Sequence, residues 1–188
     1  MQLHYGQAMP EWVPVSTSSR GRLAEAALKA FGSHPFDEVG VVDLARSADT
    51  TTGSLYHHFG SKLGLYAFVR EDVERRVLDR MQGAAAVVEG TGGERVSAAL
   101  LVAYDYAVAS GFARMLAAPL SGRPEDPLQR FIATVIREDD TPYGDVLVAA
   151  WRAALDFVIR GGDVAAARRA LASLRIEVDQ DRGLSAEQ

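Results

Sequence analysis

Residues 50–62 read Thr-Thr-Thr-Gly-Ser-Leu-Tyr-His-His-Phe-Gly-Ser-Lys, a run of hydroxyls placed directly ahead of two histidines set between aromatic rings. Three chemistries are open to such a stretch: metal ligation, catalysis, or a polar surface shaped for another molecule. His57 and His58 are adjacent, so on a helix they point about 100° apart, whereas a helical zinc pair needs i and i+4 spacing. Asp139, Asp140 and Asp145 around Gly144 lack the spacing of a calcium loop and read as a solvated connection. No Gly-x-Ser-x-Gly, phosphate-binding loop or dinucleotide fingerprint occurs. Cysteine is absent, which removes a disulfide framework, thiolate zinc ligands and a cysteine nucleophile. The expectation is therefore no catalytic residue, no metal, no cofactor and no enzyme, which leaves the surface.

The elements around the stretch say what kind of surface. Ser18 or Ser19 can cap a first helix of about 13 residues, with Leu23, Ala27, Ala30 and Phe31 on one side and Gly32 as a left-handed stop. After His34-Pro35, Val41, Leu44 and Ala45 recur at i, i+3 and i+4, giving a short second helix that Asp43 favours near its start and that ends near Ala48. Thr50 or Thr51 can then accept the unpaired N–H groups of a third helix carrying Leu55, Tyr56 and Phe59. Two short helices separated by only a few residues, behind a longer one, have the layout of a helix-turn-helix, whose second member lies in the major groove.

Gly60-Ser61 closes that helix and caps another, and from Lys62 the residues Leu65, Phe68, Val69, Val73, Val77, Leu78 and Met81 keep helical period for some five turns. Val96 to Val108, Leu128 to Ile136, Val146 to Ile159 and Val164 to Ile176 continue an all-α pattern with no strand signal. Residues 1–17, with Pro10 and Pro14, read as a flexible arm, 18–66 as the helix-turn-helix unit and 67–188 as a second helical unit.

At 188 residues and 48% hydrophobic content, the chain can bury a sizeable core. Its net charge of −5 argues against a strong basic field for nucleic acid. The distribution changes that argument: residues 1–70 balance six Lys/Arg against six Asp/Glu, and all the excess acidity falls in residues 71–188. Affinity for DNA would rest on a few well-placed donors rather than on bulk charge. The first residues carry no basic leader or apolar run, and no stretch reaches the ~18 apolar residues of a membrane span, so a soluble cytoplasmic protein without membrane contact is expected.

With that layout in hand, Arg20 to Val69 resembles the N-terminal DNA-binding domain of the TetR (tetracycline-repressor) family of bacterial transcriptional regulators. The resemblance rests on RGRLAEAALKAFG and FDEVGVVDLARSADTTTGSLYHHFGSK, and above all on Gly53-x-Leu55-Tyr56-x-His58-Phe59-x-Ser61-Lys62 placed eight residues after Leu44-Ala45. It implies a fold in which this domain precedes a helical domain that binds a small-molecule effector and dimerises, often through its last two long helices. Partners implied are double-stranded operator DNA, an effector of unknown identity and a second copy of the chain.

On this resemblance Thr50 and Thr51 offer hydroxyls to a phosphate at a helix N-terminus, and Gly53 lets the backbone approach closely. Thr52, Ser54 and His57 face base edges, Tyr56 and His58 donate to phosphate from the flank, and Lys62 supplies a charged contact to the DNA backbone. Leu55 and Phe59 face inward. Tyr56 packing on the fourth helix, a structural hydrogen bond for His58 and plain turn chemistry for Thr50 to Thr52 are the competing readings. Tyr104, Phe112, Met115, Phe131 and Trp151 are candidate effector-lining residues, with Arg114 as an anionic anchor; ordinary core packing is the alternative for each. Departures from the family pattern are Val39-Gly40, where a Thr or Ser usually opens the second helix, and Asp49-Thr50, where Gly and Val usually form the turn. The function implied is a homodimeric, ligand-released repressor on a pseudo-palindromic operator; the alternative is a small-molecule binding or interaction protein on the same scaffold with weak or lost DNA binding.

Overall fold

Serine and threonine hydroxyls set four helix starts in the computed structural model, which describes residues 18–120, 123, 125–137 and 142–177. Nine α-helices lie among the described residues: α1 Ser19–Ser33, α2 Val41–Ser47, α3 Thr52–Phe59, α4 Lys62–Val87, α5 Gly92–Ala109, α6 Ala113–Leu116, α7 Pro127–Ile136, α8 Tyr143–Ile159 and α9 Val164–Ala172. The Ser18 side chain accepts from Gly21 N–H, Thr51 from Ser54 N–H, Ser61 from Gly64 N–H, and Thr91 forms a reciprocal capping box with Glu94. Asp126 and Asp163 do the same for α7 and α9. The second helix has no such help: Gly40 stands at its N-cap with no side-chain hydrogen bond, as its sequence implies.

Two expectations need correction. Gly32 does not stop the first helix; it lies inside α1, and a Cβ there would sit 2.6 Å from the Gly111 carbonyl oxygen. The residue is small because the backbone of the α5–α6 junction passes against it. α9 ends at Ala172 rather than near Ile176, because Ser173 folds its N–H and hydroxyl back onto the Arg169 and Ala170 carbonyls. The one-turn α6 falls between the Val96–Val108 and Leu128–Ile136 stretches, where four residues carry no detectable period. The proposed arm at 1–17, and Asp139 and Asp140, lie outside the described residues.

One hydrophobic core runs from Leu23, Phe31, Leu44 and Leu55 of the first three helices, through Leu65, Val69, Val73, Val77 and Met81 of α4, to Leu100, Trp151 and Leu171. α4 carries this continuity: the 66/67 boundary falls within a single unbroken helix, whose first turns pack on α1 and α3 and whose later turns pack on α5. Its inward charges are paired. Arg70, 1% exposed, donates to Glu74 at 2.8 Å and to the Ala118 carbonyl just beyond α6, and Glu74 also holds Arg123 in the α6–α7 connection. Arg152 of α8 bridges Asp126 and the Leu116 carbonyl in the same way. Buried ions of this kind specify geometry, because removing either partner leaves an uncompensated charge.

Candidate nucleic-acid interface

The third helix owes its presentation to what lies beneath it. Leu55 is fully buried between α1, α2 and α4, and Phe59 packs at 5.3 Å against Phe68 of α4. Phe31, Phe36 and Tyr66 interlock at 5.0 to 5.7 Å between ring centres, fixing α1 and the Phe36–Glu38 turn against α4. Arg22 of α1 closes the helix-turn-helix from behind: its guanidinium donates to the Ala48 carbonyl at 2.8 Å and the Asp49 carbonyl at 3.2 Å. Those are end-of-helix carbonyls that α2 leaves unpaired. Sequence reasoning missed this clamp, and nothing local signals it, since the partners are 26 and 27 residues apart.

On the outer side, Thr51, Gly53, Tyr56, His57 and His58 are exposed, and Thr50, Thr52 and Ser54 are half-buried. Tyr56 shows 52% of its surface, so packing on α4 does not consume it. The two histidine rings meet edge to face at 5.1 Å, and no group of three or more His, Cys, Asp or Glu able to hold a metal occurs among the described residues. Thr51 spends its hydroxyl oxygen on the Ser54 N–H but keeps its own O–H, while Thr50 and Thr52 flank it on the same shallow surface as Val42, Arg46 and Asp49. The structure thus brings eight of the nine named residues into one strip along α3 and its entrance.

Lys62 differs. Its ammonium donates to the Phe36 carbonyl at 2.9 Å and the Val39 carbonyl at 3.1 Å and rests 4.2 Å from the centre of the Phe36 ring. That geometry ties the start of α4 to the turn before α2 and leaves a single N–H for anything outside. Asp49, at the family's glycine position, adopts φ 48°, in the left-handed region, and its carboxylate is exposed beside Thr50.

The six effector candidates are buried or half-buried. Tyr104 is fully buried and donates to the Val164 carbonyl at 2.8 Å, joining α5 to α9; burial pushes its phenol above the usual value, with Asp105 and Asp163 adding to the rise. Phe112 meets Tyr106 edge to face at 5.9 Å, and Phe131 is half-buried against the core. Met115 and Trp151 are each 1% exposed. Arg114 Nε and Trp151 Nε1 are buried donors without a protein acceptor among the described residues. Four cavities, of about 630, 420, 340 and 130 Å³, lie elsewhere: between α1 and α2, along α8 and α9, at the α2–α3 turn and beside the α6–α7 connection. None is lined by any of the six.

Residues 23–68 match the family described as bacterial regulatory proteins, tetR family. The HTH-type transcriptional repressor AcnR of Corynebacterium glutamicum is 35% identical over 60 residues, which cover 31% of this chain and 32% of that repressor. The chain thus matches about a third of the length of this curated relative. Two solved structures share the fold over most of both chains. A TetR-family transcription regulator from Shewanella sp. PV-4 aligns with a TM-score of 0.62 and 23% identity over 82% of this chain and 94% of its own. A TetR-like regulator from Rhodococcus sp. RHA1 aligns with a TM-score of 0.62 and 20% identity over 88% and 95%. No helix of the described residues is long and apolar enough to cross a membrane. Residues 23–68 therefore carry a helix-turn-helix that is similar in sequence to the tetR family of bacterial regulatory proteins, set on an all-helical fold shared with these solved regulators.

Proposed function

We propose that the chain is a homodimeric repressor in the bacterial cytoplasm whose two α3 helices enter successive major grooves, roughly 34 Å apart, on a pseudo-palindromic operator. The observation that carries this is the two-sidedness of α3: Leu55 is fully buried while Tyr56, His57 and His58 stand exposed on the other side. The Thr51-capped entrance of the helix lies open beside Thr50, Thr52 and Gly53. Thr52, Ser54 and His57 read base edges, and Thr50, Thr51, Tyr56 and His58 hold phosphates. Residues 67–188 supply the dimer and the effector site.

Dimerisation is supported by the outer face of α8, where exposed Val146 is followed at helical spacing by Ala150, Ala153 and Phe157, which line an apolar groove with Ala166 and Ala170 of α9 and Leu174 just beyond it. Small side chains there let a second helix pair come close, and Val146 and Phe157 are 58% and 44% exposed. Release follows from an apolar or aromatic effector bound among α5 to α8, near Tyr104, Phe112, Met115, Phe131 and Trp151. Arg114 and Trp151, with donors lacking a protein acceptor, would fix a polar acceptor on it. Such a ligand shifts helix spacing only through unequal affinity for the two dimer geometries.

Titration against the intergenic duplex upstream of its own gene, at several salt concentrations, tests the reading. Sequence-selective, salt-dependent binding that Tyr56→Ala weakens is expected. Equal weak binding to every duplex would favour the second reading, a small-molecule binding protein on this scaffold, to which Asp49 and the uncapped α2 lend support.

A further inference from the structure

Six cations occur in residues 18–70, and five of them have a carbonyl or carboxylate partner within the chain, Lys29 and Arg46 in exposed ion pairs. Arg22 is bound to the Ala48 and Asp49 carbonyls, and Lys62 to those of Phe36 and Val39. Lys29 pairs with Glu25 at 3.1 Å, Arg46 with Asp43 at 3.1 Å, and Arg70 with Glu74 at 2.8 Å. Arg20 alone has neither a carboxylate nor a carbonyl partner among the described residues. Its guanidinium instead lies over two aromatic rings, 4.8 Å from the centre of Phe68 and 5.7 Å from that of Phe59, while the residue as a whole is exposed.

That arrangement is costly for a purely structural role. Arg20 sits in the first turn of α1, which contains no acidic residue, and the positive end of a helix dipole disfavours a cation there. Its place over Phe59 and Phe68 holds the guanidinium on an exposed residue, within reach of an anion with two oxygens. Phe59 closes α3 and is the chain neighbour of exposed His58, whose ring lies 6.2 Å away. The unpaired cation therefore borders the exposed strip of the recognition helix.

We infer that Arg20 is a phosphate-contacting residue of the DNA interface, held by α1 at the C-terminal flank of α3 and supplying the backbone charge that Lys62 spends within the fold. This rests on the DNA-binding reading and adds to it a residue outside the helix-turn-helix proper. A phosphate contact carries no base information, so its loss weakens binding to all sequences alike and lowers the salt dependence by about one counterion per subunit, or about two per dimer.

The test is a salt series of anisotropy titrations with the duplex upstream of the gene, comparing the full chain with Arg20→Met, Arg20→Lys and Lys29→Met. Methionine keeps an apolar stem over the rings and removes only the charge; Lys29→Met changes the net charge equally at an exposed site paired with Glu25. We expect Arg20→Met to lose roughly tenfold in affinity at low salt and about two units in the slope of log K against log salt, one for each half-site of the proposed dimer, and Lys29→Met to keep the wild-type slope. An Arg20→Met slope equal to wild type, or an equal fall in Lys29→Met, overturns the assignment. Should Arg20→Met melt early, two readouts remain: Arg20→Lys must retain the slope, and the wild-type Arg20 Nε–H resonance must shift on adding duplex. A resonance unmoved at saturation is equally fatal. Wild-type protein that shows no salt-dependent binding removes the DNA-binding reading itself and the assignment with it, a result distinct from normal wild-type binding with an indifferent Arg20.

Discussion

Two side chains at the helix-turn-helix are placed against their ordinary preferences, and each makes a measurable prediction. Asp49 holds φ 48° where a residue without Cβ has no strain, and it sets a carboxylate beside Thr50 and Thr52 at the entrance of the recognition helix. Asp49→Gly relieves the backbone but adds unfolded-state entropy, so a net gain of about 0.5 kcal/mol is expected in urea unfolding. Asp49→Asn keeps the turn and drops the charge; duplex affinity should rise roughly 2- to 5-fold at low salt and converge with wild type as salt increases. Unchanged affinity in Asp49→Asn would show that this carboxylate lies away from the phosphates. Lys62 makes the converse case. With Nζ spent on the Phe36 and Val39 carbonyls, Lys62→Met should cost about 1–2 kcal/mol in thermal unfolding, by freeing the turn that leads into α2.

At the scale of elements, the sequence was most informative where a local chemical signal existed. Ser18, Thr51 and Ser61 cap the helices they were expected to cap, and the apolar spacings of Leu23 to Phe31 and Leu65 to Met81 fall on buried faces. The strip from Thr50 to His58 was legible for the same reason: it is one capped helix with one apolar side. What stayed hidden depends on partners distant in the chain. Arg22 and Lys62 serve carbonyls more than 20 residues away, and the ends of α9 and the one turn of α6 are set by local backbone hydrogen bonds that leave no period. Gly32 belongs to this class, because its reason lies at Gly111. In an open helix Gly→Ala would add up to ~1 kcal/mol of stability. Here the new methyl would meet a backbone oxygen at 2.6 Å and push α1 from the α5–α6 junction. Gly32→Ala is therefore expected to destabilise by about 1–3 kcal/mol in chemical unfolding. A stabilised variant would mean that the junction yields freely.

For the whole molecule, the question is how a domain neutral in charge achieves useful affinity for a polyanion. Residues 1–70 carry equal numbers of Lys/Arg and Asp/Glu, most of the cations already have a partner within the chain, and Asp49 sets a carboxylate at the turn. In the proposed dimer, one recognition helix of eight residues would bind weakly and two on one rigid body far better, because the second half-site is engaged at high effective concentration. The interior suits such a body: α4 runs unbroken from the DNA-binding helices into the core, and Arg70 and Glu74 lock it to Ala118 and Arg123 beside α6 and α7. Ala153 tests the remaining link, since it is exposed midway between Val146 and Phe157 on the outer face of α8. Ala153→Arg places a long cation in the apolar groove without touching the core, so the helical circular dichroism and the melt should stay close to wild type. Sedimentation at micromolar concentration should then give the mass of one chain, and duplex affinity should fall by ~10²-fold or more as the two half-sites come apart. A variant that keeps the dimer mass would move the subunit contact off this face. One that becomes a monomer yet binds the duplex as before would mean that a single α3, with its flanking phosphate contacts, suffices.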